Sequence, residues 1–221
     1  MARIAALFDV DKTILARNSG RLYLQELYER GEVDAWTVAR NLASYLRYKL
    51  NWLDVDRWAE RALGQLAGRS EHEFRLQADA FFEARVRPRI YPEAERRVRW
   101  HLERGHLVAL VTGSTRYVVE PLAAHLGVKH VVCTELEVQD DRLTGHISPP
   151  ICFGHGKVAR VRSLIDSEDI DLVRSWCYTD SLSDLPLLEL VGYPVAVNPD
   201  PGLYREARRR RWPISFYSPP E

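Results

Sequence analysis

The sequence predicts an α/β fold, a doubly wound and mostly parallel sheet interrupted by an inserted helical bundle. Three observations predict it. Ile4-Ala5-Ala6-Leu7-Phe8 is the continuous apolar run of a buried strand, and it ends abruptly on charges. Between about Gly20 and Arg87 the apolar residues recur at helical spacing, with no convincing strand. From there to the end, strands and helices alternate. A chain of 221 residues is long enough for one substantial core with a smaller insert.

The elements follow in order. After the first strand, Leu22, Leu24, Leu27 and Tyr28 form one helical stripe. Trp36, Ala39, Leu42, Ala43 and Leu46 form a second, and Trp58, Ala62, Leu63 and Leu66 a third. Breaks at Gly31, at Asn51 to Asp56 and at Gly68 to Ser70 divide this block into a compact bundle of about four helices. Pro88 and Pro92 end the bundle and open a new helix. "HLVALVT" then reads as a strand, "RYVVEPLAAHLG" as a helix closed by Gly127, and "HVVCTELEV" as a strand. "DDRLTGHI" reads as a hairpin, with a helix beginning near Gly156. "RSWCYTD" is a strand, "SDLPLLELVG" a helix and "PVAVNP" the last strand. No internal repeat or low-complexity segment appears in the sequence.

Composition narrows the function. The apolar fraction of 46% and the charged fraction of 28% are ordinary for a soluble globular protein. Lys plus Arg (31) balance Asp plus Glu (31), so no global field favours nucleic acid or a membrane as partner. The run Arg208 to Arg211 follows a helix and reads as a solvated face. Cys133, Cys152 and Cys177 are widely spaced, which fits a reduced protein better than a disulfide framework or a zinc site. No run approaches the roughly 20 apolar residues that span a bilayer, and Asp9 interrupts any leader-like stretch. A cytoplasmic protein is expected, as monomer or homodimer.

In a doubly wound sheet, ligands sit beyond the carboxyl ends of the strands. The first strand ends on Asp9-Val10-Asp11-Lys12-Thr13, and "LVALV" ends on Thr112-Gly113-Ser114. "RSWCY" ends on Thr179-Asp180-Ser181, with Asp184 following, and Lys157 opens a helix between them. Carboxylates gathered at one edge repel each other and need a cation. Oxygen-only ligands point to a hard ion, magnesium above all, and no His/Cys cluster competes for a softer metal. Most of the scattered histidines are expected to be surface or partly buried residues without a catalytic role. Metal, lysine and hydroxyls around a carboxylate make sense when the substrate is a phosphate, whose charge they neutralise. Asp9 can then attack, while Thr112 and the backbone near Gly113 hold phosphoryl oxygens. Asp11, on the same side of an extended chain, can protonate the leaving oxygen and later deprotonate water.

"DVDKT", "LVTGS", Lys157 and "DSLSD" together resemble the four ordered motifs of the haloacid dehalogenase superfamily of phosphatases. The insert is similar in position and size to the helical cap of the phosphoserine-phosphatase-like subfamily, and "TELEVQDDRLTG" (Thr134 to Gly145) has a form that recurs there. The resemblance implies a Rossmann-like core over 1–15 and 89–221 and a cap over 16–88. It implies Asp9 as nucleophile, Asp11 as general acid/base, and Thr112 with Lys157 as phosphoryl ligands. Magnesium would be held by Asp9, the backbone carbonyl of Asp11 and Asp180, with Asp184 supporting the shell and Lys157. Thr13 would orient the nucleophile loop. Ser181 and Ser183 are explained equally well as turn and cap residues.

The resemblance breaks at one point. Phosphoserine phosphatases carry a glutamate nine residues after the nucleophile, where it meets the substrate ammonium; here that position is Asn18. Poor activity on phosphoserine is therefore expected. Arg61 is a candidate for a substrate carboxylate, although an exposed helix arginine is the plainer reading. Tyr23, Trp36, Tyr45, Trp52 and Trp58 read mainly as bundle core, with room for one or two at the seam against a substrate body. Histidinol phosphate and other small organic phosphates remain open, and phosphorylated lipid precursors are less supported. The expected function is a magnesium-dependent phosphomonoesterase, with the insert as a lid. Its rivals are a phosphotransferase to an alcohol acceptor and a receiver-like module in which a phospho-aspartate serves signalling. The full pair of acids in "DVDKT" disfavours the receiver and also a dehalogenase.

Overall fold

The computed structural model describes residues 2–40 and 63–220. Strand β1 (Ala5–Phe8) is followed by helix α1 (Ser19–Glu29), a helical stretch at 35–40, and helix α2 (Glu71–Phe81). That last helix widens into a π-helical turn, Phe82–Val86, and tightens into a 3-10 turn, Arg87–Arg89. Then come α3 (Pro92–Glu103), β2 (Leu107–Thr115), α4 (Arg116–Leu126), β3 (His130–Gln139) and β4 (Arg142–Ser148). The chain finishes with α5 (His155–Glu168), β5 (Trp176–Thr179), the short α6 (Leu185–Leu188), β6 (Tyr193–Val197), α7 (Pro201–Arg210) and β7 (Ile214–Ser215).

The seven strands lie in the order β4-β3-β2-β1-β5-β6-β7, and every pairing except β3 with β4 is parallel. The apolar run of β1 now has its reason: it is the central strand, buried on both faces. Ala6 and Phe8 face one layer with Ala94 and Val98 of α3 and Val119 and Leu122 of α4. Ala5 and Leu7 face the other with Val161 of α5 and Leu203 and Ala207 of α7. Side chains alternate across a strand, so one short run feeds two cores.

Three expectations need correction. "PVAVNP" is not the last strand, because Ile214–Ser215 pairs beyond it with Ala196 and Val197. "SDLPLLELVG" is not one helix but a 3-10 turn, Leu182–Asp184, leading into the four residues of α6. Trp36, read as bundle core, is 72% exposed, and Tyr28 is half-exposed. In α1 it is Leu22 and Tyr23 that pack inward, the latter edge-on to Phe81 at 5.5 Å and Phe74 at 6.4 Å. Tyr45, Trp52, Trp58 and Arg61 lie outside the described residues.

The hairpin binds the helical insert to the sheet. Asp140 and Asp141 both take positive φ (49° and 58°), the backbone that a two-residue hairpin loop requires. Asp141 accepts hydrogen bonds from Glu71 N (2.8 Å, backbone carbonyl), His72 N (3.1 Å) and Ser70 Oγ (2.9 Å), so the turn caps α2 from outside. Gly68 N donates to Leu143 O (2.8 Å) and Leu143 N to Arg69 O (3.0 Å), a short strand-like pairing inside the block read as wholly helical. Gly145 sits at φ 84°, and a Cβ there would stand 2.9 Å from Ala67 Cβ. Only glycine lets the insert approach this closely.

Candidate active site

The strand order reverses on either side of β1, with β2 on one flank and β5 on the other. That is the crevice where doubly wound sheets bind ligands. Asp9 leaves β1 there, held by its backbone N–H to Tyr178 O (2.9 Å). Thr112 and Gly113 lie in the C-terminal half of β2, where its register with β3 shifts between Val111 and Thr115. Thr179 ends β5, and Asp180 and Asp184 follow it. Lys157 arrives from the first turn of α5. Its approach depends on Gly156, where any Cβ would stand 1.9 Å from Ile151 O.

Lys157 joins two of the acids. Its Nζ donates to Asp9 Oδ1 at 2.6 Å and to Asp184 Oδ2 at 2.7 Å, and all three side chains are almost wholly buried. Thr179 Oγ1 donates to the same Asp184 oxygen at 2.7 Å and accepts from Ser181 N at 3.2 Å. Asp184 Oδ1, by contrast, is buried with no partner. The hydroxyl of Thr13 is likewise buried without a partner.

Asp11 is held at both oxygens. Ser19 N donates to Oδ1 at 2.8 Å and Asn18 Nδ2 to Oδ2 at 2.7 Å. Asn18 is also the N-cap of α1, its Oδ1 accepting from Arg21 N at 3.0 Å, so both ends of its amide are engaged within the protein. Ser19 Oγ lies 2.7 Å from Ser114 Oγ, which ties the same helix start to the end of β2.

That strand end is braced from behind. Thr112 Oγ1 accepts from Ser114 N (3.1 Å), which leaves its own proton free to donate toward the crevice. Thr134 Oγ1 donates to Gly113 O (2.9 Å) and accepts from Cys152 N (3.2 Å). On the other flank Asp200 accepts from Leu182 N (3.1 Å) and caps α7 through Gly202 N and Leu203 N (both 2.8 Å). Ser181 and Ser183 bond to each other at 3.0 Å, as turn residues do. Thr134, Thr179 and Asp200 had no assigned role in the sequence reading. Asp200 was detectable as an N-cap before Pro201.

Burial above all pushes the Asp9 carboxyl up to about 7; Lys157 pulls it down, while Asp184 and Asp11 push it further. Asp180 is pushed up to about 8, by burial and then by the charge of Asp9. Burial also raises Asp11, against the hydrogen bonds from Ser19. Burial opposes the Lys157 ammonium, yet Asp184 and Asp9 hold its pKa well above the ordinary lysine range. Among the described residues no group of three or more His, Cys, Asp or Glu is gathered closely enough to hold a metal ion by itself. Magnesium does not need such a cage, since it takes one or two carboxylates and keeps water or substrate oxygens. The hard-oxygen donors Asp9 and Asp180, charged only at a cost, and the orphaned Asp184 Oδ1 fit such an ion with its water.

The family model of the haloacid dehalogenase-like hydrolases matches residues 6–189. The chain belongs to this family. A probable phosphatase of Mycobacterium tuberculosis is 33% identical over 222 residues, covering 99% of this chain and 77% of that protein. A histidinol-phosphatase of Neisseria meningitidis is 31% identical over 214 residues, 95% of this chain and 96% of its own length. Among solved structures, a Bordetella pertussis protein of unknown function superposes with a TM-score of 0.89 at 36% identity, over 97% of this chain and 99% of that one. A phosphoserine phosphatase captured as a phospho-aspartyl intermediate analogue shares the fold, with a TM-score of 0.71 at 17% identity over 99% and 95% of the two chains. The α/β architecture with helices on both faces is that of this haloacid dehalogenase-like family. No helix of the described residues is long and apolar enough to cross a membrane.

Proposed function

We propose that this haloacid dehalogenase-like hydrolase is a magnesium-dependent phosphatase that hydrolyses a small organic phosphate monoester through an aspartyl-phosphate on Asp9. The family and the phosphatases among its relatives support the reaction class. The observation that carries the finer reading is Lys157, buried and bonded to Asp9 and Asp184 at the strand-order reversal. A cation fixed against a carboxylate orients that carboxylate and lowers the repulsion an incoming phosphate would meet.

In this reading Asp9, the Asp11 carbonyl and Asp180 would hold magnesium, with Asp184 behind them. The ion, when bound, offsets phosphate charge so that an anionic nucleophile can approach. Thr112 and the Gly113 backbone receive the phosphoryl oxygens. Asp9 attacks phosphorus as the ester P–O bond breaks, and Asp11 gives its proton to the departing oxygen. Water then attacks the phosphoryl group, Asp11 takes the water's proton, and Asp9 is released with inorganic phosphate. Residues 16–88, inserted between β1 and α3, would form the cap, with the core in 1–15 and 89–221. Asn18 has its amide committed to Asp11 and to α1, so phosphoserine is expected to be a poor substrate.

A metabolite-phosphate screen with magnesium or with EDTA tests this. Phosphate release that needs magnesium, and that Asp9→Asn reduces at least about 10³-fold, is expected. Full activity in Asp9→Asn would overturn the nucleophile. Added alcohols distinguish hydrolysis from transfer, since a transferase would yield a new phosphate ester in place of inorganic phosphate.

A further inference from the structure

Asp11 must present its proton along one direction, toward the oxygen that leaves phosphorus. A carboxyl on a loop rotates freely unless both oxygens are held. Here both are, and both donors belong to the start of α1: the Ser19 backbone N–H at 2.8 Å and the Asn18 amide at 2.7 Å. The amide cannot be turned the other way. Arg21 N is a pure donor, so the atom it meets at 3.0 Å must be the Asn18 oxygen, and the NH₂ end therefore faces Asp11. The helix start is itself anchored to the end of β2 by the pair Ser19 Oγ and Ser114 Oγ at 2.7 Å.

We propose that Asn18 is a positioning residue that aims Asp11, through the 2.7 Å hydrogen bond to its Oδ2, for proton transfer to the leaving group. This rests on the phosphatase reading above. The step it serves balances simply: as Asp9 bonds to phosphorus and the ester P–O bond breaks, the leaving oxygen takes the Asp11 proton. A leaving group that is already stable as an anion needs little of that help, and a basic one needs all of it. Asn18 therefore matters in proportion to the basicity of the departing alcohol. A substrate-binding residue would act on KM whatever the leaving group.

The test compares p-nitrophenyl phosphate with phenyl phosphate, similar in shape and different in leaving-group basicity. Asn18→Asp keeps an acceptor for Arg21 N and so preserves the helix cap, but replaces the donor facing Asp11 with a carboxylate. Asn18→Ser also caps α1, without a second negative charge beside Asp11. In the full chain with magnesium, each variant is expected to lose at least about tenfold more kcat/KM on phenyl phosphate than on p-nitrophenyl phosphate. Their melting temperatures should stay close to that of the unaltered protein. Equal losses on both esters, no loss, or a change confined to KM would overturn the positioning role and leave the phosphatase reading intact. An unaltered protein that hydrolyses neither ester would overturn both.

Discussion

The strength of the Lys157 contacts lies in what remains when the lysine is removed. Asp9 and Asp184 are buried, and the lysine between them is the only cation whose hydrogen bonds to them are seen among the described residues. Taking one partner from a buried ion pair leaves the other uncompensated, at a cost of about 3 kcal/mol. Lys157→Met should therefore be destabilised by about that much at pH 8 in EDTA. The sign at lower pH follows from Asp9, whose carboxyl already lies near 7 with the lysine present and rises when that cation is gone. At pH 5 it is protonated, carries no unpaired charge, and the loss should shrink. Urea unfolding at both pH values checks this, and an equal loss at both would contradict it. The sequence already marked Asp9, Thr112, Lys157, Asp180 and Asp184 as candidates, because periodicity places each near the end of an apolar strand run or the start of a helix. It did not disclose that Asn18 bonds to Asp11. That contact depends on how the loop between them folds back, which no spacing rule specifies.

The hairpin is one of the elements that join insert to sheet, and the sequence showed only half of its meaning. Adjacent aspartates between two apolar alternations marked the turn. That Asp141 would cap α2, and that Gly145 would lie against residues 64–67, depends on long-range contact and left no periodic trace. Thr134, midway along β3, is the same case, a hydroxyl bracing Gly113 from the neighbouring strand. Gly145→Ala brings two costs together: an L side chain at φ 84° and a Cβ 2.9 Å from Ala67 Cβ. The sum should be about 2 kcal/mol, and it should appear first where the insert is attached. Hydrogen exchange is expected to speed up at Gly68, Glu71 and His72, whose N–H groups the hairpin receives, with the β1 and β5 amides little affected. Uniform acceleration across the sheet would mean that the hairpin supports the core itself, and would refute its role as a clasp for the insert.

Across the whole molecule, the crevice stores charge at the expense of stability. Asp9 and Asp180 are held up to about 7 and 8 because they are buried beside each other, so each binds its proton more tightly in the folded chain than in the unfolded one. Groups shifted upward contribute stability that is complete below the unfolded carboxyl value near 4 and is lost as pH rises through 7 and 8. His101 is shifted the opposite way, pushed down to about 3 by burial and by His106, with its Nε2 2.9 Å from Tyr178 OH. It adds a loss of stability below about pH 6.5. The two effects overlap in a plain melting curve, but only the carboxylates respond to a hard cation. The increase in Tm on replacing EDTA with magnesium isolates them. It should be small at pH 5, where protons already neutralise Asp9 and Asp180, and should grow steadily to pH 8, where in the proposed reading magnesium would do so. Each carboxyl exchanged from proton to metal changes the pH slope by up to about 1.4 kcal/mol per unit. A magnesium shift of equal size at pH 5 and pH 8 would place the ion away from these two carboxylates, and no shift at all would remove magnesium from the crevice.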